Sequence, residues 1–327
     1  MADMDFQRAA VLLFDPVHVN LRTTRYALNE LGFKSIETCS VIDEFQRLLR
    51  ENSWDLIVAE SSSPKFDLFK LIRMIRRGEA TPNPYAIIAL TSWVRDGGHV
   101  RKAIESGADD VIVRPFSTQF AEERMRTMVR NRKAFVITSD YVGPDRRSGD
   151  RAAMDKDAVI VPNTLQAKAD GDEDQLRQAY QEIRDTKKKI EGERIRRLAM
   201  RIVVTAELQF DSKAGPATAY DPADMMRTTR ELRDQLEQAG RYEAVQVADG
   251  LIDHARNFKN PEERNVKNFR LAKELAIGAF AAYADGQSIE KAKNEIASTV
   301  KALRKRLSSA ASGSSAEDLP ALKAATM

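Results

Sequence analysis

Short apolar runs alternate with amphipathic stretches through the first 130 residues, and this alternation constrains the fold more than any other sequence feature. Val11 to Phe14 contains no polar residue, and Leu56 to Ala59 and Ala86 to Leu90 are similar runs. Runs this short and this apolar predict strands that are buried on both faces. The segments between them carry apolar residues at helical spacing. We therefore predict repeated βα units around a parallel sheet.

Five such units predict a doubly wound α/β fold with a five-stranded parallel sheet, which we place at residues 8–130. Gly32 follows the first helical segment and supplies a left-handed stop. The predicted strands are 11–14, 35–38, 56–59, 86–90 and 111–113, and the predicted helices are 19–31, 42–50, 66–77, 100–106 and 119–130.

Residues 131–171 break this rhythm, and we interpret them as a linker that docks at apolar points such as 159–161. The stretch contains a tyrosine, a Gly-Pro turn and an arginine pair between Tyr141 and Arg147. Arg146 and Arg147 are candidate contacts for an anion. The alternative, which we favour, is a rigid turn whose arginines dock on acidic loops of the preceding domain.

The remainder of the chain has helical spacing and no strand pattern, and it predicts an all-α C-terminal half. Residues 172–211 form one long helix with an imperfect heptad stripe, a candidate coiled coil. Residues 221–307 predict a helical bundle, because Asp-Pro, Asn-Pro and Ser start signals precede its segments. The predicted bundle helices begin at 221, 242, 260 and 288, and residues 308–327 are predicted to be a disordered tail.

Composition excludes several classes of protein. The 52 basic and 49 acidic side chains leave a net charge of +3, which does not indicate a dedicated nucleic-acid-binding protein. The single cysteine, Cys39, excludes an intramolecular disulfide and any multi-cysteine metal site. The sequence contains no apolar run that is long enough to predict a membrane-spanning helix. We expect a cytoplasmic protein.

Polar residues follow the predicted strands at the edge where ligands of open α/β sheets bind. Asp15 and Pro16 follow the first strand, Glu60 ends the third, Thr91 the fourth, and Arg114 precedes a proline after the fifth. In this order and spacing the segment resembles the CheY-like receiver domain of bacterial two-component response regulators. The resemblance covers residues 8–130 and implies a flavodoxin-like fold and a role in signalling.

The resemblance also assigns roles to these positions. Receivers end the first strand in two acids that hold Mg²⁺, and here Asp15 matches the first while Pro16 replaces the second. Glu60 stands where the phosphoacceptor aspartate is expected, Thr91 is retained, and Arg114 replaces a lysine. The aromatic residue that moves in many receivers falls at Val111, so the switch position lacks its aromatic ring.

These departures predict a receiver that does not take phosphate. Proline removes one Mg²⁺ ligand, and glutamate reaches one methylene further than aspartate, so Mg²⁺ binding at this pocket is doubtful. The longer acid enters the space of a phosphorylated aspartate, where we expect Arg114 to pair with it through two hydrogen bonds. The alternative is that Glu60 is a solvated acid that Arg114 balances, without any switching value.

The helical half carries no enzyme signature, so we predict a non-enzymatic signalling adaptor without a cofactor. Its expected partners are proteins, such as a signalling kinase or regulator, and the helical region is expected to dimerise or to bind a second protein. One alternative is DNA binding through the basic helix 184–201, although acidic residues interleave with its cations. Another is histidine phosphotransfer through His254, although the residues that follow it depart from that family's pattern.

Overall fold

The computed structural model describes residues 4–63, 66–147, 158–209 and 220–284. The chain divides into two compact units, Met1–Ile190 and Glu191–Met327. The predicted helix from Ser288 and the predicted tail 308–327 lie outside the described residues. Among the helices of these ranges, none combines the length and the apolar character that a membrane span requires.

A five-stranded parallel sheet forms the centre of the first unit, as the sequence predicts. From one edge of the sheet to the other, its strands are 35–39, 10–14, 56–60, 87–92 and 110–113. Helices follow each strand, and the predicted bounds hold to within a few residues. The strands are β1 (Ala10–Phe14), β2 (Ser35–Cys39), β3 (Leu56–Glu60), β4 (Ile87–Ser92) and β5 (Asp110–Val113), and the helices are α1 (His18–Glu30), α2 (Ile42–Glu51), α3 (Leu68–Arg76), α4 (Gly97–Glu105) and α5 (Thr118–Arg130).

The apolar strands are explained by the two cores that they separate. Leu12 and Phe14 of β1 belong to one buried cluster, whereas Val11 and Leu13 belong to the other. Successive side chains of a strand point to opposite faces, so a strand that is covered on both sides must be apolar throughout. The continuous apolar runs in the sequence are therefore the signature of a central sheet.

The segment that follows α5 is built into the first unit. It contains β6 (Phe135–Ile137) and β7 (Val142–Pro144), which pair antiparallel, and the short helix α6 (Thr164–Ala169). Residues of α6 are buried in the same core as β1, and Val159 forms a bridge with Phe135. The first unit extends beyond the predicted linker 131–171, since it ends at Ile190.

In the parts of the second unit that the structure describes, 191–209 and 220–284, all the regular elements are helices. The unit contains the end of α7 (Glu173–Leu208), followed by α8 (Pro222–Gln238), α9 (Tyr242–Asn257) and α10 (Val266–Tyr283). Residues from all four helices form one buried cluster, including Ile202, Leu232, Leu251 and Ala276. This core agrees with the predicted helical character of the C-terminal half.

The start signal at Asn260 and Pro261 predicts a helix there, and this prediction is wrong. Asn260 caps only a single 3-10 turn, Pro261–Glu263. The long helix α10 begins at Val266, where the side chain of Asn265 accepts a hydrogen bond from the backbone N–H of Asn268. Two asparagine caps lie within one short stretch, and the second is the one from which a sustained helix continues.

Candidate functional site

The predicted site residues meet at the carboxyl edge of the sheet. Asp15 follows β1, Glu60 ends β3, Thr91 lies near the end of β4, and Arg114 follows β5. Glu60 and Thr91 are direct partners in the parallel register of β3 and β4. Because β1, β3, β4 and β5 are neighbours in the sheet, their ends place all four side chains in one buried pocket.

Glu60 makes hydrogen bonds with three donors. Its Oε2 accepts from the hydroxyl of Thr91 at 2.8 Å and from Nε of Arg114 at 3.4 Å. Its Oε1 accepts from the backbone N–H of Ser62 at 2.9 Å. Only 3% of Glu60 is exposed, so this side chain is not a solvated acid at a strand end, as the alternative interpretation would require.

Arg114 fills the pocket between two acids. Its Nη2 donates to the hydroxyl of Thr24 at 2.7 Å and lies 3.5 Å from Oδ2 of Asp15. The predicted two-bond pairing between Arg114 and Glu60 is wrong, since a single bond joins them. The reason is that Nη2 of the guanidinium is shared among the hydroxyls of Thr24 and Thr91 and the carboxylate of Asp15.

Two aromatic rings flank the guanidinium on its outer side. The Arg114 Cζ lies 5.9 Å from the ring centroid of Trp93 and 5.3 Å from that of Phe116. Cation–π attraction at such distances stabilises a buried arginine. Trp93 remains half exposed, so part of its ring faces solvent.

The pocket holds two carboxyl groups against one guanidinium. Burial raises the pKa of Asp15, and the charge of Glu60 raises it further, while the Val17 amide and Arg114 oppose the shift. The Val17 N–H donates to Oδ1 of Asp15 at 2.8 Å. Asp15 therefore takes up a proton more readily than an ordinary aspartate does.

The pocket does not fit Mg²⁺. This ion takes oxygen ligands in near-octahedral geometry, and at the place of a second acid the chain has Pro16. The guanidinium of Arg114 already lies within 3.5 Å of both acids, where a cation would bind. Across the described residues, no group of three or more His, Cys, Asp or Glu side chains is arranged to hold a metal ion.

The other predicted positions lie elsewhere. Val111 is half-buried against the core beneath the sheet and pairs with Leu90. Arg146 donates to the backbone carbonyls of Ala108 and Asp109, before β5 and at the opposite edge of the sheet from the pocket. Arg147 pairs with Asp145. The structure thus separates both arginines from the pocket.

Sequence reasoning misses Thr24 and Trp93. Thr24 lies in the middle of α1, where a single threonine carries no signal, yet its hydroxyl receives the shortest hydrogen bond of Arg114 in the pocket. Trp93 directly follows the polar end of β4, and an aromatic residue next to Thr91 and Ser92 was a usable signal.

In the helical unit, the side chain of His254 makes a hydrogen bond and an aromatic contact within the fold. Its Nε2 lies 2.8 Å from the backbone oxygen of Asn268, so this nitrogen carries the proton and donates it. Its ring contacts Phe258 edge to face. This hydrogen bond joins α9 to the first turn of α10.

The arginines of the basic stretch in α7 are largely paired. Arg194 is buried and donates to Gln235 at 2.7 Å and to Glu231 at 2.5 Å, both on α8. Arg201 pairs with Asp224 at 2.9 Å. Arg196 and Arg197 both pair with Glu193 on their own helix.

Comparison with known proteins agrees with the geometry of the first unit. Residues 11–129 match the family "Response regulator receiver domain". The chain is 31% identical over 135 residues to the uncharacterized transcriptional regulatory protein YclJ of Bacillus subtilis, covering 40% of this chain and 56% of that protein. It is 32% identical over 115 residues to the phosphate regulon transcriptional regulatory protein PhoB of Rhizobium meliloti, covering 35% and 49%.

A crystal structure of a response regulator from Thermotoga maritima aligns with 37% of this chain and 96% of its own at 23% identity, with a TM-score of 0.33. The chain spans about half the length of the two curated relatives described above. Residues 11–129 are a response regulator receiver domain.

Proposed function

We propose that this protein is a non-enzymatic signalling adaptor whose receiver does not accept phosphate and acts by binding other proteins. A cytoplasmic location and a bacterial two-component pathway are part of the proposal. The helical half is proposed to supply a second protein-binding surface or a dimer contact. The observation that carries the proposal is the position of Arg114 in the pocket.

Phosphoryl transfer depends on a positioned acceptor and on cations that neutralise the developing charge. Here the acceptor position holds Glu60, whose oxygens already bind Thr91, Ser62 and Arg114. An incoming phosphoryl group would have to break these bonds and displace the guanidinium. The pocket is therefore satisfied internally, which supports a receiver that is held in one state.

A DNA-binding regulator is the alternative that the curated relatives suggest, since both of those described above are named transcriptional regulatory proteins. The matched regions cover only about half of those proteins. Recognition by the basic helix requires cations that are free to reach phosphates. Arg194 and Arg201 instead bind acids of α8, which favours the adaptor.

The first test is phosphorylation of the whole chain by a small-molecule phosphodonor with and without Mg²⁺, read by intact mass. We expect no Mg²⁺-dependent adduct on the wild type. A variant with Pro16→Asp, Glu60→Asp and Arg114→Lys restores the family's residues and is the positive arm. Stoichiometric, Mg²⁺-dependent modification of the wild type at Glu60 would refute the proposal.

The second test separates the adaptor from the DNA-binding alternative. The tagged whole chain is incubated with a source-cell lysate, with and without nuclease. We expect a specific protein to be retained after nuclease treatment. Retention that requires nucleic acid and falls steeply with salt would instead favour the DNA-binding regulator.

A further inference from the structure

We propose that residues 132–147 act as a strap, an intramolecular lock that joins the loop between α4 and β5 to the first half of α7 and thereby restrains Arg114. The strap contains β6 and β7, and the loop comprises residues 106–109. The proposal goes beyond the function proposed above and does not depend on whether the pocket takes phosphate.

Asp109 is the centre of the lock. Its Oδ2 accepts from Nη2 of Arg76 at 2.5 Å and from the backbone N–H of Ile88 at 2.8 Å. Its Oδ1 lies 3.5 Å from Nε of Arg132, the first residue of the strap. One carboxylate thus joins the end of α3, the start of β4 and the strap.

The side chains of the two arginines at Asp109 are deeply buried, and each also donates hydrogen bonds to backbone carbonyls. Arg76 also donates to the carbonyls of Pro84, Ala86 and Gly107, each at 2.8 Å. Arg132 donates to the carbonyl of Pro162 at 3.1 Å. Burial lowers the pKa of Arg132 to about 10, while the charge of Asp109 acts in the opposite direction.

The turn of the strap lies in close backbone contact with the loop. Arg146 donates to the carbonyl oxygens of Ala108 and Asp109. At Gly107, whose φ is +100°, a Cβ atom would lie 2.7 Å from the backbone oxygen of Val142. A Cβ at Gly143 would lie 2.8 Å from the Cα of Gly107. Only glycine permits two backbones to approach this closely.

The strap also shares a buried core with the first half of α7. Phe135 and Val142 share a buried cluster with Ile183 and Ile190 of that helix. The backbone N–H of Phe135 also donates to the oxygen of Val159 at 2.7 Å. Release of the strap from the loop would therefore loosen the first half of α7.

The lock reaches the pocket through β5. This strand runs only from Asp110 to Val113, so it joins Asp109 at one end to Arg114 at the other. The backbone N–H of Arg114 donates to the backbone oxygen of Ser92 at the end of β4. A loop that is fixed at Asp109 therefore restrains the strand that carries the pocket guanidinium.

The test is hydrogen–deuterium exchange of the whole chain, compared between wild type and Arg146→Ala. Losing charge-assisted hydrogen bonds to the loop is expected to raise exchange about tenfold in residues 104–116 and 173–190. Peptides from α1 and α2 should keep their wild-type rates. Arg47→Ala is the control, because this exposed arginine pairs with Glu51 within α2, outside the strap and the loop, and its loss should leave both segments unchanged.

Tyr141→Phe is the second variant, and it decides the outcome if Arg146→Ala does not fold. It removes only the hydroxyl that donates to Pro144 within the turn at 2.8 Å. Faster exchange confined to the two segments supports the lock. Unchanged exchange in either segment, or an equal rise in every peptide, overturns it. Because no phosphodonor enters this test, its failure is distinct from failure of the proposed function.

Discussion

Replacing Arg114 with methionine tests whether this residue is the cation that the pocket requires. The substitution keeps an unbranched side chain but leaves Glu60 and Asp15 buried without a positive charge. The wild-type distances are 3.4 Å to Glu60 and 3.5 Å to Asp15. At an effective dielectric constant of about 20, each pair is worth roughly 5 kcal/mol before the cost of desolvation.

The net effect is smaller, because burying the guanidinium itself costs energy that methionine avoids. Removing one partner of a buried ion pair destabilises a protein by about 3–5 kcal/mol. We expect Arg114→Met to lower the free energy of unfolding of the first unit by this amount near neutral pH. Adding Glu60→Gln should recover much of the loss, because it removes one of the two unpaired charges and leaves an acceptor for Thr91.

Tryptophan fluorescence during urea unfolding is the assay, since the chain has two tryptophans and both lie in the first unit. Trp54 is buried and Trp93 borders the pocket, so the signal reports this unit and not the helical one. The control is Arg25→Met, an exposed arginine of α1 for which we expect a change within about 0.5 kcal/mol. Wild-type stability of Arg114→Met, or no recovery in the double variant, would refute the reasoning.

Three further outcomes are expected. The fold raises the pKa of Asp15, so the stability that protonated Asp15 contributes is complete below its ordinary pKa and is lost as pH rises through the raised value. Asp15→Asn should therefore gain stability relative to wild type as pH rises from about 4 to 7. A difference in urea midpoints that does not change with pH would contradict this. Arg194→Leu should destabilise the helical unit by about 2–3 kcal/mol, because Glu231 loses its partner but is partly solvated. Replacing the exposed Arg227 with alanine should cost less than about 1 kcal/mol. Thermal unfolding followed by circular dichroism at helical wavelengths compares the two variants, and equal losses of stability would contradict a structural role for Arg194. His254→Ala should lower the free energy of unfolding by about 1 kcal/mol, because the hydrogen bond to Asn268 is lost. The variant should still retain the same proteins from the lysate. Loss of this retention without loss of stability would favour a functional histidine.

The sheet and the pocket could be predicted because both depend on strong local signals. The apolar runs of β1, β3 and β4 mark strands that are covered on both faces, and parallel strands bring their carboxyl ends to one edge. Glu60, Thr91 and Arg114 were therefore expected to meet. The number of bonds between Glu60 and Arg114 was not predictable, since it depends on Thr24, which reaches the pocket from a helix.

The integration of residues 131–190 into the first unit could not be predicted in the same way. β6 and β7 each contain three residues, which is too few to show the period of a strand. Arg76 illustrates the same difficulty, because an arginine at the end of an amphipathic helix predicts exposure. It is buried in the fold because distant carbonyls and Asp109 accept all of its observed hydrogen bonds.

The charge distribution of the first unit bears on how it receives a signal. At one edge of the sheet two acids share Arg114, and at the other Asp109 is joined to Arg76 and Arg132. A cation that enters the pocket must first displace Arg114, at a cost of about 3–5 kcal/mol if the displaced state resembles the methionine variant. Since about 1.4 kcal/mol is tenfold in affinity, apparent Mg²⁺ binding would weaken by roughly a hundredfold to several thousandfold. The ion pairs that Arg114 makes in this pocket therefore act directly against a bound cation.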